Sequence, residues 1–325
     1  MTRDEILNSR TALKRFARDF NVPVASYDSE YFLEQLKTLS LYSSHYIELF
    51  EEFIDELASY PSPEAYFEHY NTIKDTAINY ILTNAEFRAF SCSDINCPKS
   101  YIKQELYKPT NDSKRFISID LRKANFNIVA KYCPSLFEGR SWEQFLAKCG
   151  ASSYMQRSKY IRQVIFGACN PKKQIQAMTK LMIDVANKLS MHSYNIYSVT
   201  TDEILIELDA AESASINPIV DILQIECSDL LDILKVESFM LIANKQGYMK
   251  RILSSTDKIN ANIVFKCVDS DLFCQVIKHY FNLPVAKSDL VFDYKGSVAC
   301  FLQPIPNPFL CNEDESERLY NEDKS

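Results

Sequence analysis

Two stretches of the chain decide its fold: Arg115-Phe-Ile-Ser-Ile-Asp-Leu121, and the pair Tyr194-Asn-Ile-Tyr-Ser-Val199 and Glu203-Ile-Leu-Ile-Glu-Leu208. The first is a short apolar run of aromatic and β-branched residues, and it predicts a strand. Residues 200–202 alone separate the other two runs. This spacing predicts a β-hairpin that carries Asp202 at its tip.

The segments around these strands have helical and strand-like patterns in turn. Residues 1 to about 90 carry apolar side chains at spacings of three and four, which indicates helices. After the first strand, helical patterns return at residues 141–149 and 153–190. The patterns further along the chain predict helices at 216–234 and 273–281, and strands at 237–243, 248–253, 262–265 and 297–303. We therefore expect an α+β fold with a helical insertion after the first strand of an antiparallel sheet.

The composition excludes a disordered chain and several kinds of nucleotide site. With 46% hydrophobic and 12% aromatic residues, the chain can bury a sizeable core. Only five glycines occur, and neither GxGxxG nor GxxxxGK[ST] is present, so a glycine-rich phosphate loop is excluded. The N-terminal sequence has no apolar signal core, and no run approaches the length of a membrane span. We expect a cytoplasmic protein with no membrane partner.

Charge is distributed unevenly along the chain. The net charge is -7, yet residues 99–188 contain 17 Lys and Arg against 6 Asp and Glu. The acidic excess lies elsewhere and includes the tail at residues 311–325, which we expect to be flexible. An acidic protein with a basic middle segment suggests a surface that meets a polyanion. The alternative is a chance alternation of solvated faces.

Two aspartates stand at positions suited to metal binding. Asp120 lies at the end of an apolar strand, and Asp202 lies at the tip of a tight hairpin. A carboxylate is costly to hold at either position unless a cation meets it. Phosphoryl transfer uses two divalent ions about 3.5–4 Å apart, held by carboxylates on rigid supports. Asp120 and Asp202 are therefore the candidate pair for a two-metal site.

The helical insertion between these aspartates supplies cations. Lys159 and Arg162 share one helical face, and Phe166 lies one further turn along it. Such a face suits an incoming nucleotide, because the cations can meet the triphosphate and the ring can meet the base. The alternative is a solvated basic face with a core phenylalanine. Three more cations near this helix are candidates for nucleic-acid binding: Arg157, Lys172 and Lys173.

Three motifs together resemble those of family A DNA polymerases. Arg162-Gln-Val-Ile-Phe-Gly-Ala-Cys-Asn170 is similar to the fingers-helix motif of that family, in which an aromatic residue follows a cation by four positions and glycine comes next. Thr201-Asp-Glu203 is similar to its His-Asp-Glu hairpin, and Ile117-Ser-Ile-Asp120 to its first metal-binding strand. Three later stretches resemble the closing palm strands of family B polymerases: Leu234-Lys-Val-Glu-Ser-Phe239, Gly247-Tyr-Met-Lys250 and Val264-Phe-Lys-Cys-Val268.

The resemblance implies a metal site and an auxiliary acid. Asp120 and Asp202 would bind two Mg²⁺ ions, with Mn²⁺ as an alternative ion. The carbonyl oxygen of Leu121 would be a further metal ligand. Glu203 would be an auxiliary acid near the primer end.

The resemblance also implies contacts to the nucleotide and the nucleic acid. Lys159 and Arg162 would hold the triphosphate, and Phe166 would stack near the nascent base pair. Three lysines after the hairpin are candidates for primer or template phosphates, with plain surface lysines as the alternative: Lys245, Lys250 and Lys266.

The chain departs from the family A pattern at several positions. Thr201 replaces the usual histidine, and Asn170 replaces a tyrosine that helps to gate the template. Asn125 stands where a glutamate is expected five residues after the first aspartate, which puts the sugar-selecting mechanism in doubt. Its bulky neighbour Phe126 is the candidate for a steric gate. Both residues are therefore candidates for nucleotide binding.

The motif order implies a palm domain that is interrupted by fingers. We expect a helical N-terminal domain at residues 1–112, a palm formed by residues 113–130 and 191–310, and fingers at residues 131–190. No set of exonuclease carboxylates is evident before the palm, so proofreading is not expected. The small size suggests a viral or mobile-element origin.

The implied function is that of a template-directed DNA polymerase, which acts on a primer–template and nucleoside triphosphates by two-metal nucleotidyl transfer. One alternative uses the same site for a different reaction, that of an RNA polymerase, a primase or a template-independent nucleotidyltransferase. Another is a non-catalytic nucleic-acid-binding replication protein with a degenerate palm. A helical structural protein without a palm is a third alternative, which fails if residues 115–121 and 195–208 form adjacent strands.

Overall fold

A computed structural model describes residues 2–24, 29–43, 45–98, 101–209, 214–257 and 262–310. Within these ranges the chain forms a helical N-terminal region, a six-stranded antiparallel sheet with helices between its strands, and a small C-terminal unit. The predicted α+β class is confirmed. No helix in the described ranges has the length and apolar character needed to cross a membrane. The predicted flexible tail at 311–325 lies outside the described residues.

Among the described residues, six helices form the N-terminal region, and side-chain caps set where several of them begin. Thr2 and Glu5 form a capping box at the first helix, and Ser9, Ser62 and Asn84 cap later helices through their side-chain oxygens. Such caps satisfy N–H groups that the first turn leaves unpaired. The helices are α1 (Arg3–Leu7), α2 (Arg10–Phe20), α3 (Ser29–Tyr42), α4 (His45–Ala58), α5 (Pro63–Thr83) and α6 (Ala85–Cys92).

Aromatic rings fill the interior of this helical region. Phe16, Phe32, Phe50 and Phe53 are fully buried, and the ring centroids of Phe16 and Phe50 lie 4.9 Å apart. The spacing of these residues places them on the inner faces of α2, α3 and α4. These phenylalanines therefore belong to the core of the helical region.

The central sheet has one early strand and five later ones. The strands are β1 (Arg115–Leu121), β2 (Ile196–Val199), β3 (Glu203–Leu208), β4 (Leu234–Asn244), β5 (Gly247–Ser255) and β6 (Ile263–Lys266). Their order across the sheet is β2–β3–β1–β4–β5–β6, and every neighbouring pair is antiparallel. The pairing of β1 with β3 excludes the alternative of a wholly helical protein.

Helices connect β1 to β2 and β3 to β4. The first connection contains α7 (Ala124–Tyr132), α8 (Pro134–Phe137), α9 (Trp142–Lys148), α10 (Ser153–Arg157), α11 (Lys159–Gly167) and α12 (Pro171–Met191), and the second contains α13 (Asn217–Glu226). Because β1 and β2 are both antiparallel to β3, they are parallel to each other and lie on either side of it. This is the split βαβ arrangement, and the helical insertion predicted after the first strand is present.

The two faces of the sheet have different surroundings. Ile117 and Ile119 of β1 point into the main core, and α12 packs on that side against β2 and β3. Phe116 belongs to a smaller apolar cluster on the opposite face. Alternate residues of a strand share a face, so Ser118 and Asp120 lie on the same side as Phe116. We call this side the open face.

Residues 101–112 run beside β2 and partly cover the open face. The N–H of Val199 donates to the carbonyl oxygen of Ile102 at 2.7 Å. Asn111 is fully buried, and its amide donates to the hydroxyl oxygen of Tyr197 at 2.8 Å. Two apolar side chains of the segment pack on the smaller cluster: Leu106 and Tyr107.

The C-terminal unit contains α14 (Phe273–Tyr280), β7 (Val291–Tyr294) and β8 (Ser297–Cys300). The helix predicted at 273–281 is confirmed. The strand predicted at 297–303 is shorter and pairs with β7 in a separate two-stranded sheet. The sequence pattern did not predict β7.

A buried carboxylate joins the N-terminal region to the helical insertion. Asp19 of α2 is fully buried, and Nε of Arg15 lies 3.0 Å from it. The hydroxyl groups of Tyr154 and Ser158 each donate to this carboxylate at 3.0 Å. Ser158 also caps α11, because its Oγ accepts from the N–H of Ile161 at 3.2 Å. One carboxylate thus holds α2, α10 and the start of α11 together.

Much of the basic middle segment is paired within the molecule. Eight of its cations form ion pairs among the described residues: Lys114, Arg122, Lys123, Lys131, Arg140, Lys148, Arg157 and Lys180. Exposed pairs of this kind add little stability, but they offset the charge of the segment. A polyanion would have to compete with these carboxylates for eight of the cations.

Replacing Asp19 with Ala is expected to lower the free energy of unfolding by about 3–5 kcal/mol, because the buried Arg15 guanidinium loses its partner. Urea denaturation followed by circular dichroism measures the change. The control is Asp75→Ala, at an exposed pair with Lys74, which should change it by less than about 0.5 kcal/mol. A loss below about 1 kcal/mol for Asp19→Ala would contradict the buried network.

Candidate active site

Asp120 lies at the centre of a row of charged residues that crosses three strands. In the antiparallel register it stands opposite Glu203 of β3 and opposite Lys235 of β4. Directly opposite residues share a face of the sheet, so these three side chains project from the open face. The row arises because polar residues take alternate positions near one end of otherwise apolar strands.

The turn between β2 and β3 brings Asp202 beside the end of β1. Its carbonyl oxygen accepts a hydrogen bond from the N–H of Leu121 at 2.9 Å. Thr200 closes the turn: its Oγ1 accepts from the N–H of Glu203 at 3.1 Å, and its own N–H donates to the Glu203 carbonyl oxygen at 2.8 Å. Asp120 and Asp202, which are far apart in sequence, therefore meet at one end of the sheet.

Three carboxylates act on one another at this end of the sheet. Burial raises the pKa of Asp120 to about 6, and the negative charges of Glu203 and Asp202 add to the rise. The pKa of Asp202 is also raised, mainly because its carboxylate is partly removed from water and secondarily because of the negative charge of Glu203. Carboxylates with raised pKa values carry their charge at a cost, and a bound cation would remove that cost.

Lys250 of β5 is buried against this cluster. It is 6% exposed, and its Nζ lies 3.7 Å from Oε1 of Glu203 and 4.2 Å from the ring centroid of Phe239. Burial lowers the pKa of Lys250, and the charge of Glu203 opposes that effect. Oε1 of Glu203 also accepts a hydrogen bond from the Ser118 hydroxyl at 2.6 Å. The expectation of a surface lysine is therefore wrong for Lys250, which is a buried partner of Glu203.

A cavity of about 190 Å³ opens on the open face above these residues. Asp120, Glu203 and Lys250 line it, together with Lys266 of β6, whose side chain is exposed. The cavity thus combines two carboxylates with two lysines that the sequence had singled out.

Four further residues of this cavity were not predicted as site residues: the apolar Val264, and the polar Ser118, Lys235 and Glu237. Nζ of Lys235 lies 2.6 Å from Oε2 of Glu237, so the two form an ion pair along β4. The signal that identifies them is the alternation of polar and apolar residues in β4. Once Lys235 is placed opposite Asp120, that alternation puts Glu237 on the open face as well.

Lys159 is the predicted nucleotide contact that lies near the carboxylates. It is the exposed first residue of α11, and its positive charge opposes the rise in the pKa of Asp202. Arg162 lies three residues further along the helix and is half-buried, and burial lowers its pKa. The first turn of α11 therefore presents Lys159 to any anion that is bound beside Asp202.

The structure does not bring Phe166 to this cavity. Its ring is fully buried and packs against Phe126 and Trp142, with centroid distances of 6.3 and 5.8 Å. Phe126 is also buried and borders a different cavity of about 620 Å³, whereas Asn125 is half-buried at the start of α7. In this conformation neither ring offers a face to a base or a sugar at Asp120. Phe166 is therefore a core phenylalanine, which was the alternative interpretation of its place in the sequence.

The predicted nucleic-acid contacts are partly exposed and partly engaged within the protein. Lys172 and Lys266 are exposed. Arg157 forms an ion pair with a glutamate of α4. Lys173 is 8% exposed, and its ammonium group donates to the carbonyl oxygen of Ser93. Lys173 therefore ties the start of α12 to the end of the N-terminal region.

Asp120 and Asp202 are the residues that could hold a divalent ion. Burial and the neighbouring negative charges raise the pKa of Asp120. The Glu203 carboxylate, in contrast, already accepts a hydrogen bond from Ser118 and lies close to the ammonium group of Lys250. Among the described residues, no three His, Cys, Asp or Glu side chains converge as a ready ligand set. Mg²⁺ usually keeps several water ligands and needs only one or two carboxylates, so the pair fits such an ion. No protein-family model, curated protein or solved structure matches the chain, and the functional argument rests on this geometry.

Replacing Asp120 with Asn is expected to raise the free energy of unfolding by about 1 kcal/mol near pH 7.5, because the change removes a largely buried charge among other carboxylates. The pKa of Asp120 in the folded protein is about 6, above the ordinary value of 3.8. The penalty is therefore complete above about pH 6 and declines as the pH falls toward about 4. Urea denaturation at both ends of this range measures the difference from wild type.

The control for this experiment is Asp94→Asn, which changes an exposed carboxylate outside the cluster. It should alter the free energy of unfolding by less than about 0.5 kcal/mol at either pH. An Asp120→Asn variant that is less stable than wild type near pH 7.5 would show that the lysines, and not the carboxylates, dominate the field at Asp120.

Proposed function

We propose that this chain is a palm-type nucleotidyltransferase that extends a nucleic-acid strand, most simply a template-directed DNA polymerase. The observation that carries the proposal is the approach of Asp120 and Asp202 at one end of the sheet, where the N–H of Leu121 donates to the Asp202 carbonyl oxygen and the charge of Asp202 adds to the rise in the pKa of Asp120. The chain order also supports it: a carboxylate strand, a helical insertion, a carboxylate hairpin, a helix and a closing strand. In this proposal the insertion serves as fingers and the sheet as palm.

In this proposal each residue of the cluster has a separate role in nucleotidyl transfer. Two divalent ions at Asp120 and Asp202 would supply the charge stabilisation that this reaction requires. Lys159 binds the triphosphate, since the first turn of α11 places its charge near Asp202. Glu203 is fixed by Ser118 and Lys250, and it orients the primer end next to the two aspartates. Lys266, exposed at the cavity, binds a phosphate of the primer or template.

Sugar selection is weak in this proposal. Phe126 borders a different cavity, and Asn125 lies where a selecting glutamate was expected. Incorporation of dNTPs and NTPs, each with and without a template, tests both points: dependence on a template separates a polymerase from a template-independent transferase, and a strong preference for NTPs favours an RNA polymerase or primase. Comparable use of the two sugars is expected from a cavity without a gate, whereas a strong preference for dNTPs would support the DNA polymerase and show that Phe126 moves on binding.

A non-catalytic nucleic-acid-binding protein is the second candidate. It is favoured by the burial of Phe166, which removes the predicted stacking surface, and by the engagement of Glu203 with Ser118 and Lys250. In this case the exposed lysines contact a nucleic acid, and the carboxylates do not turn over a substrate.

Asp202→Asn is expected to lower kcat/KM for single-nucleotide addition to a primer–template by about 10²–10³-fold, because the change removes half of the carboxylate pair. The measurement is extension of a labelled primer with Mg²⁺, repeated with Mn²⁺. The matched control is Glu207→Gln. Glu207 lies on the same strand as Glu203, and its Oε1 lies 2.6 Å from Nζ of Lys114. This control should stay within about twofold of wild type.

Circular dichroism on each variant shows that the fold is retained before activity is compared. Absence of extension by the wild-type protein with both ions would contradict the catalytic proposal, as would equal activity of Asp202→Asn. Oligonucleotide binding without extension would then support the second candidate.

A further inference from the structure

The charged side chains of the cavity at Asp120 form two ion pairs that leave Asp120 itself out. Oε1 of Glu203 lies 3.7 Å from Nζ of Lys250, and Oε2 of Glu237 lies 2.6 Å from Nζ of Lys235. Among the residues that the structure describes, no cation lies within ion-pair distance of the Asp120 carboxylate. The carboxylate without a lysine partner is therefore the one to which the proposed function assigns a metal ion.

Lys235 is the lysine that could most easily pair with Asp120. In the register of the sheet it stands directly opposite Asp120, on the neighbouring strand β4. Directly opposite residues have Cβ atoms about 4.5–5.5 Å apart, so the long side chain of a lysine can reach such a carboxylate. The Lys235 ammonium group lies instead against Glu237, two residues further along the same strand and on the same face. The backbone thus allows Lys235 two partners, and the structure shows the pair with Glu237.

Glu237 is well enclosed, and its direct neighbours across the sheet carry no charge. Its side chain is 14% exposed, whereas that of Lys235 is 32% exposed. It stands opposite Ser118 of β1 and opposite Ser255 of β5. Lys235 therefore supplies the cation that stabilises the Glu237 carboxylate at this position.

The electrostatic field at Asp120 agrees with a lysine that is held at a distance. Burial raises the pKa of Asp120 to about 6, the charges of Glu203 and Asp202 add to the rise, and the opposing effect of Lys235 is smaller than that of either carboxylate. An ammonium group in direct contact would favour the charged form of Asp120 much more strongly. Asp120 thus keeps an excess of negative charge around it, which favours a divalent cation.

We propose that Glu237 is a positioning residue of the metal site, which holds Lys235 away from Asp120 and so leaves that carboxylate free for a divalent ion. Without the charge of Glu237, the Lys235 ammonium group turns to Asp120 and competes with the ion for its oxygens. The two arrangements differ in the conformation of one lysine side chain. This inference rests on the proposed function, because it needs a metal ion at Asp120, but it does not need turnover of a substrate.

A double-mutant cycle tests whether Glu237 acts through Lys235. Binding of Mn²⁺ alone is measured by the loss of the electron paramagnetic resonance signal of the free ion, without primer or nucleotide. Glu237→Gln is expected to weaken Mn²⁺ binding by about tenfold in the chain that retains Lys235. In a chain that carries Lys235→Gln, the same change is expected to weaken binding by less than about threefold, since no ammonium group is left to compete.

Other roles of Glu237 give different results. A glutamate that acts directly on the ion, as a ligand or as a nearby charge, produces the same loss of affinity in both chains. A glutamate that serves only the fold lowers the midpoint of thermal unfolding and leaves the Mn²⁺ affinity unchanged. Lys235→Gln alone is expected to bind Mn²⁺ at least as tightly as wild type, because it removes the competing cation.

Two further variants define the site and the background. Asp120→Asn identifies the ion in question, because it should abolish or strongly weaken the binding that Glu237→Gln affects. Glu207→Gln removes the carboxylate that pairs with Lys114 outside the cavity, and its Mn²⁺ affinity should stay within about twofold of wild type. Circular dichroism on every variant shows that it is folded at the temperature of the titration.

The outcomes separate this inference from the proposed catalysis. Equal losses of affinity in the two chains overturn it, as do an unchanged affinity in Glu237→Gln, weaker binding in Lys235→Gln than in wild type, and Mn²⁺ binding that Asp120→Asn does not alter. Coupled effects of Glu237 and Lys235 in a protein that shows no primer extension support the inference and count only against catalysis. Primer extension by a wild-type protein whose two variants are uncoupled counts only against the inference.

Discussion

The register of β1 between β3 and β4 is the constraint on which the rest of the structure depends. Backbone hydrogen bonds place Asp120 opposite both Glu203 and Lys235. Because side chains alternate between the faces of a strand, a slip of one residue would turn Asp120 into the main core and Ile119 out of it. Burial of an unpaired carboxylate is costly, so the hydrophobic pattern and the charges favour the same register. The cavity and the buried Lys250 both follow from it.

The elements that carry the cluster could be predicted because their signals are local. The apolar run of β1 and the short gap between β2 and β3 need no knowledge of distant residues, and the structure confirms both. The adjacency of Asp120 and Asp202 followed from motif order, and the hydrogen bond between Leu121 and the Asp202 carbonyl bears it out. The fold class was predictable for the same reason, since the patterns of period two and period 3.6 alternate clearly along the chain.

The environment of single side chains could not be predicted, because it depends on neighbours that are remote in sequence. The helical pattern places Phe166 near the cations of α11, but it does not show that Phe126 and Trp142 cover the ring. Lys250 occupies a polar position on the open face, and only the tertiary structure shows that Phe239 and residues 101–112 enclose it. That segment has no periodicity, so nothing in its sequence predicts where it lies. The same argument applies to Arg15, whose stacking on Tyr70 joins two helices.

The long connection between β1 and its partners also sets the order in which the molecule can assemble during synthesis. β1 begins at Arg115, whereas β3 and β4 end at Leu208 and Asn244. Domains generally fold from the N-terminus as they emerge from the ribosome, and the N-terminal helices contact one another, but α2 and α5 also pack against α11, and α3 packs against α14. Until β4 has emerged, β1 has at least one unpaired edge, which is the stage most exposed to aggregation. In a nascent chain the carboxylates can therefore come together only after β3 has emerged, and the helical region completes its packing against α14 later still.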